Sequence, residues 1–293
     1  MKKTLLAVAA SLAASSAAFA SPMYIDLGTN TYDSTRFLGT PDADTRTGNF
    51  SEFGFSQILA TSIYDYSDGS VFGEFYDTNV PASLAFAGVP TSGTALDGTS
   101  TVNLVLPNCP LGQCDIDALS PLVPPLETDN EGFLQRWDLQ VAYTFNGTLT
   151  ASGPSYTSGF FNVFFNDKTN DANDRLVLSG SLTGSQIQAA NLDLFFEITF
   201  AETGFLWIQD VNTGTFYDAS TRPSFLALDT NVNPPIPTAN QLLLVNDGDG
   251  NPNAIRQATL DGSITGTVPE PTSLALLGLG LTGLGLLRRR KMA

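Results

Sequence analysis

Histidine is absent from the 293 residues. Without an imidazole, Ser-His-Asp and Cys-His catalysis, histidine-containing zinc sites and a histidine pH switch are all excluded. Cysteine is scarce: Cys109 and Cys114, in "PNCPLGQCDID", are the only two. Two thiols do not complete a tetrahedral zinc site, and four intervening residues do not match a redox C-x-x-C. In an exported chain such a pair most simply closes a small disulfide loop. Positive charge is scarce too, with 13 Lys plus Arg against 29 Asp plus Glu. Six of the cations lie in the two ends, so residues 21 to 267 hold seven cations and 28 acids, a net of −21. Such a body repels nucleic acid and anionic membranes. It gains solubility and offers many oxygen ligands for hard cations such as Ca²⁺.

What is present begins with an export signal. Lys2 and Lys3 precede an apolar run from Leu5 to Ala14, and Ala18-Phe19-Ala20 supplies an A-x-A cleavage site. Signal peptidase is expected to cut between Ala20 and Ser21. The chain then divides into a signal peptide at 1–20, one β-rich secreted domain at 21–267 and a tail at 268–293.

Strand signals dominate the body. "WDLQVAYTF" from Trp137 places Trp137, Leu139, Val141, Tyr143 and Phe145 on one face, with Asp138, Gln140, Ala142 and Thr144 on the other. That is the period of two of a strand with one face toward a core. "LDLFFEITF" does the same with Leu192, Leu194, Phe196, Ile198 and Phe200. Further strands are expected at 101–106, 159–165, 175–182, 204–211, 241–245 and 258–268, separated by clusters of Gly, Asn, Asp, Ser and Pro. A short helical turn around Gln186–Ala190 is the main helical expectation, while 55–64 reads as helix or strand. The predicted class is all-β, an antiparallel β-sandwich or jelly-roll-like fold. Three similar hexamers, "FNGTLT", "LSGSLT" and "LDGSIT", recur without a fixed period and read as strands with a glycine bulge.

No cofactor is required by this sequence. Calcium is the one ion with a candidate loop: "NDGDGNPN" presents Asp247, Asp249, Asn251 and Asn253 at every second position, without the downstream bidentate Glu of a full ligand loop. "NDKTNDANDR", with Asp167, Asp171 and Asp174, is a second polar loop, which Lys168 and Arg175 balance. A carboxylate hydrolase needs two acids roughly 5 to 9.5 Å apart. Asp193 and Glu197 share a face, but four residues of strand separate them by about 13 Å. The body therefore reads as non-enzymatic. Exposed aromatics among Tyr64, Tyr66, Tyr76, Trp207, Phe216 and Tyr217 are candidates for stacking on sugars.

The tail has three parts in order: Val268, Pro269, Glu270 and Pro271; an apolar run from Leu274 to Leu287; and Arg288, Arg289, Arg290 and Lys291. As a helix the run covers about 21 Å, short of the roughly 30 Å hydrocarbon layer. Its terminal cations suit retention on the cytoplasmic side. The physics points to transient membrane insertion followed by processing near the prolines. This arrangement closely resembles the PEP-CTERM sorting signal of exosortase-processed Gram-negative proteins. The resemblance implies exosortase as a processing enzyme, cleavage near Pro-Glu-Pro, and delivery to the cell surface or extracellular matrix after transient inner-membrane retention. The body bears a looser likeness to flocculation-associated PEP-CTERM proteins, through its acidic, Gly/Asn/Asp/Phe-rich strands and "DRLVLSGSLTG". The expected role is organisation of extracellular polymer, biofilm or floc, with exopolysaccharide as a partner. The alternatives are a carbohydrate- or calcium-binding module and a histidine-free hydrolase.

Overall fold

A computed structural model describes residues 21–32, 44–79, 94–96, 99–101, 103–108, 131–133, 136–188, 191–231, 234–246 and 252–267. Fifteen strands form: β1 (Met23–Ile25), β2 (Glu52–Asp65), β3 (Gly73–Thr78), β4 (Thr94–Leu96), β5 (Thr99–Thr101), β6 (Asn103–Asn108), β7 (Trp137–Thr150), β8 (Gly153–Asp167), β9 (Arg175–Gln188), β10 (Asn191–Ala201), β11 (Leu206–Gln209), β12 (Phe216–Asp218), β13 (Phe225–Asn231), β14 (Leu243–Asn246) and β15 (Pro252–Thr267). Among the described residues there is no α-helix, only 3-10 turns at Asp171–Asn173 and Ala239–Gln241. None is long and apolar enough to cross a membrane; the run Leu274–Leu287 lies outside the described residues.

Ten strands build one antiparallel sheet in the order β14-β15-β13-β10-β9-β8-β7-β3-β2-β6. The sheet curls until β15 meets β2, paired from Asn253↔Asp65 to Thr265↔Glu52. This closure pairs the sides of β2 and β15 that an open sheet would leave to intermolecular pairing. The all-β antiparallel expectation is met, and the inner faces that pack together belong to one curled sheet. A small sheet, β1-β11-β12, lies beside it.

Aromatic rings fill the interior. Phe145 of β7 meets Phe196 of β10 at 5.5 Å between centroids, and Phe75 of β3 meets Tyr156 of β8 at 5.2 Å. Neither pair sits on adjacent strands, so both contacts run across the curl. Trp137 is fully buried between Phe133 (4.7 Å) and Phe165 (5.4 Å), and its indole N–H donates to the Glu131 carbonyl at 2.8 Å. Truncating such a residue typically costs about 3–5 kcal/mol.

Several expectations are refined. The ambiguous 55–64 segment is strand, within β2, and β9 continues as strand through Gln186–Gln188 where a helical turn was expected. Extended pairing of Gln186 with Asp193 and Ile187 with Leu192 wins over local helix propensity there. On β7 the inward face is as predicted, but Asp138, Gln140 and Ala142 on the second face are buried as well. Asp138 accepts from Gln140 (3.0 Å) and Asn166 (2.9 Å) and pairs with Lys168 at 3.1 Å, so its charge is compensated. On β10, Leu192, Leu194 and Phe196 point inward, but Phe200 is 44% exposed. A bulge between Ile198 and Phe200 resets the alternation by one residue and turns Phe200 out.

The three hexamers lie in β7, β9 and β15. In β7 the register shifts between Asn146 and Gly147. In β9, Gly180 is opposite Ile198, at the start of the shift in the partner strand. In β15 the shift falls at Ala258/Leu260, ahead of Gly262. Gly180 is required for another reason: a Cβ there would stand 2.4 Å from Phe161 Cε1.

Candidate functional site

Most of the residues singled out in the sequence fall at the ends or in connections. Val268, Pro269, Glu270, Pro271, Arg288, Arg289, Arg290, Lys291, Ala20, Cys109, Cys114, Asp247, Asp249 and Asn251 lie outside the described residues. Asn253 is the second residue of β15, opposite Val245 of β14 and Asp65 of β2. Among the described residues no group of three or more acids or cysteines is placed to hold a metal ion.

Ser21, the first residue after the expected signal cleavage, is fully buried. Its amide donates to the Gly266 carbonyl at 3.0 Å. The segment that follows is held on both sides, by Met23 with Phe50 through reciprocal amide bonds of 2.7 and 2.8 Å, and by the Gln209 amide on the Pro22 carbonyl at 2.8 Å. Gly266 is the penultimate residue of β15, and a Cβ there would meet Met23 Sδ at 3.0 Å. The two ends of the body therefore pack against each other.

The polar loop after β8 is satisfied by its own residues. Asp167, almost fully buried, accepts at Oδ1 from the Thr169 amide and hydroxyl and at Oδ2 from Asn173 (2.7 Å) and the Tyr32 hydroxyl (2.8 Å). Burial pushes this carboxyl up, but the bonds from Asn173, Thr169 and Tyr32 outweigh it and hold it at about 2. Asp174 accepts from the Asp167 amide at 2.8 Å. Arg175 pairs with Glu202 at 2.9 Å and lies over the Phe165 ring. Lys168 pairs with Asp138, while Arg175 pairs with Glu202 and also donates to the Asn173 carbonyl within the loop at 3.3 Å. The loop reads as a closed turn.

The aromatics expected as sugar platforms are mostly structural. Tyr64 is buried and stacked on Phe75. Trp207 stacks on Tyr24 at 5.6 Å and donates to the Gly204 carbonyl, Phe216 packs on the same Tyr24 ring, and Tyr217 lies beneath Arg222. Among the described residues the exposed rings are different ones: Phe72, Phe160, Phe195 and Phe200. Three of these share the outer face of the β8-β9-β10 region. Phe160 is opposite Ser181 of β9, which is opposite Glu197 of β10, while Phe195 is opposite Gly184 and Phe200 opposite Ser179. Two strand spacings, about 10 Å, separate β8 from β10, and the β10 residue in line with Phe160 is Glu197, with Phe195 and Phe200 offset along the strand to either side of it. Between the two strands β9 offers only Ser179, Ser181, Thr183 and Gly184, so a shallow floor of small residues is flanked by phenyl faces. Sequence reasoning put Phe195 off the core face of β10 by alternation without singling it out as a site residue, and it left the Phe160-Phe161 doublet unassigned.

Carboxylates border the same face. Asp193 is directly opposite Asp229 of β13. Burial, and then the Asp229 charge, raise the Asp193 carboxyl. Opposed side chains on antiparallel strands are about 5 Å apart at Cβ, where like charges repel. On the inner face a second acid is perturbed: burial raises Asp77 to about 6, only partly offset by the Ser62 and Tyr156 hydroxyls and by Arg256. Its Oδ2 accepts from the Tyr156 hydroxyl and its Oδ1 is buried without a hydrogen-bond partner.

A family model for the PEP-CTERM protein-sorting motif matches residues 267–291. No curated protein and no solved structure matches the chain.

Proposed function

We propose that this PEP-CTERM protein, exported and sorted to the cell surface through exosortase, serves there as a non-enzymatic organiser of extracellular polymer, biofilm or floc. The sorting motif supports the destination. The observation that supports the role is the outer face of β8–β10, where Phe160, Phe195 and Phe200 stand exposed beside Ser179, Ser181 and Gly184. Ring faces over small hydroxyl residues suit the apolar faces and edge hydroxyls of a sugar polymer. The net of −21 over residues 21 to 267 disfavours an anionic polymer, so a neutral exopolysaccharide is the partner. Exopolysaccharide binding and signal peptidase processing belong to this proposal.

The experiment has two arms. Mass spectrometry of the protein from cells with and without exosortase reads the C-terminus and the fraction that holds it; an intact Arg-rich tail on protein from normal cells would sink the sorting reading. Retention of the purified body on immobilised cell-derived polysaccharide tests the role. Retention abolished by Phe160→Ser with Phe195→Ser supports it, and retention unchanged by both overturns it. The carbohydrate-binding module alternative rests on that same face and predicts binding to a defined oligosaccharide in isolation. The hydrolase alternative has the Asp193–Asp229 pair in its favour, and release of new reducing ends would establish it.

A further inference from the structure

One row of side chains crosses the outer face from β8 to β13: Phe160 is opposite Ser181, Ser181 is opposite Glu197, and Glu197 is opposite the half-buried Phe225. We infer that Glu197 sets the sugar specificity of this face: its carboxylate accepts two adjacent hydroxyls of a neutral sugar unit seated against the phenyl rings, and its charge turns uronic acids away. The assignment rests on the reading of the face as a polysaccharide site and goes on to name the unit it takes.

The hydrogen bonds of the floor single out that row. Of the three β9 hydroxyls, Ser179 donates to Asn162 Oδ1 at 2.7 Å and Thr183 donates to the Phe195 carbonyl at 3.0 Å. The third, Ser181, is exposed and its side chain has no partner among the described residues. Glu197 is exposed as well, and among the described residues it has neither an ion pair nor a side-chain hydrogen bond. The nearby cations are committed elsewhere, Arg175 to Glu202 and Arg222 to Asp210. An uncommitted hydroxyl and an uncommitted carboxylate therefore stand side by side on neighbouring strands, about 5 Å apart at Cβ.

The fold gives this carboxylate no structural task. Glutamate is depleted in strands, and the face of a phenyl ring carries the negative end of its quadrupole, which repels an anion. Glu197 nevertheless has Phe225 directly opposite, and Phe195 stands two residues along its own strand, about 7 Å away. A local conflict that no ion pair compensates marks a position kept for binding.

The chemistry of the ligand follows from the two groups. An ionised carboxylate only accepts, and its two oxygens take two parallel donors at once. Neighbouring hydroxyls on a sugar ring present such a pair. The Ser181 hydroxyl donates or accepts and takes a further hydroxyl, while the rings cover the C–H face of the sugar. Bonds to an ionised acceptor are about twice as strong as neutral ones, so the neutral unit is held. A uronate would bring a second carboxylate against Glu197, and that repulsion discriminates against it.

The test compares the full chain, expressed and purified, with its Glu197→Gln and Glu74→Gln variants. Glu74 is exposed on β3, four strand positions from β10, and controls for net charge. Retention is measured on immobilised cell-derived polysaccharide before and after its primary hydroxyls are oxidised to carboxylates. The unaltered chain is expected to hold the native polymer and to lose most of its grip on the oxidised one. Glu197→Gln should weaken retention on the native polymer about fivefold to tenfold and narrow the preference over the oxidised form, while Glu74→Gln changes neither. An unchanged preference in Glu197→Gln overturns the assignment, and so does an equal narrowing in Glu74→Gln, which would make the rejection a property of net charge. Tighter retention on chitosan, lost in Glu197→Gln, overturns it by showing that an ammonium is the partner. Self-association of Glu197→Gln in sedimentation, with sugar preference intact, overturns it by making the carboxylate a guard against pairing of copies. An unaltered chain that holds no polysaccharide overturns the underlying reading of the face. Failure of Glu197 alone is distinguishable, because retention then stays sensitive to Phe160→Ser with Phe195→Ser.

Discussion

The Tyr32 hydroxyl donates to Asp167 Oδ2 at 2.8 Å and ties the N-terminal segment to the end of β8 across 135 residues of sequence. Asp167 is held at about 2 in the folded protein, below its ordinary 3.8. A depressed carboxyl contributes stability that is present above pH 3.8 and is lost as pH falls toward 2. Asp167→Asn should cost about 1–3 kcal/mol at pH 7 and flatten the stability loss between pH 4 and 2. Urea titrations across that range check this; an unchanged acid slope would count against the assignment.

Asp77 gives the opposite sign. Burial raises it to about 6, so its neutral form is favoured in the folded state, and the stability it contributes falls as pH rises from about 4 to 6. Asp77→Asn keeps an acceptor for the Tyr156 hydroxyl and removes the charge. The variant should gain on the wild type from pH 4 to pH 7 in parallel denaturation curves. A variant that loses ground over that interval would show that Arg256 needs the Asp77 charge.

Gly180 stands against the Phe161 ring, with an added Cβ only 2.4 Å from Cε1 and 2.6 Å from Cζ. Gly180→Ala should destabilise by about 1–3 kcal/mol through overpacking. In the Phe161→Ala background the same change should cost much less, and a double-mutant cycle measured by thermal melting reads the coupling. Additive effects would exclude the steric cause.

The outer and inner rings of β10 should behave oppositely. Phe195→Ser replaces a 40% exposed ring and should leave stability within about 0.5 kcal/mol, whereas Phe196→Ser, 2% exposed, should cost about 3–5 kcal/mol. Circular dichroism melts of the two variants decide this. Equal losses would mean that Phe195 packs against something in solution.

Calcium removal should leave the fold unchanged. The Asp167 loop is closed by its own hydrogen bonds, and Asn253 is committed to β15. Melting temperatures with excess chelator and with added Ca²⁺ should coincide; a chelator-induced drop would favour the calcium-binding alternative through Asp247 and Asp249.

Strand identity was legible wherever alternation ran unbroken, as in β7 and β10, because side-chain period is a local property of the backbone. The outer aromatic face was legible only in part. Alternation on β10 put Phe196 inside and Phe195 outside, but the Phe160-Phe161 doublet carries no such sign, and the bulge at Ile198/Phe200 inverts the parity beyond it. The second buried face of β7 was missed for a related reason: Asp138 and Gln140 look solvent-facing until Asn166 and Lys168 of another segment reach Asp138.

By itself the sequence determined the all-β class, the exclusion of imidazole chemistry and the sorting address. Each is written in residue types or in their order along a few neighbouring positions. The tertiary structure alone decided that β15 closes the sheet on β2, that Phe160, Phe195 and Phe200 share one exposed face, and that Ser21 meets Gly266. Those relationships join residues tens to hundreds of positions apart, and their register depends on bulges and on which strands pair, which local periodicity does not encode.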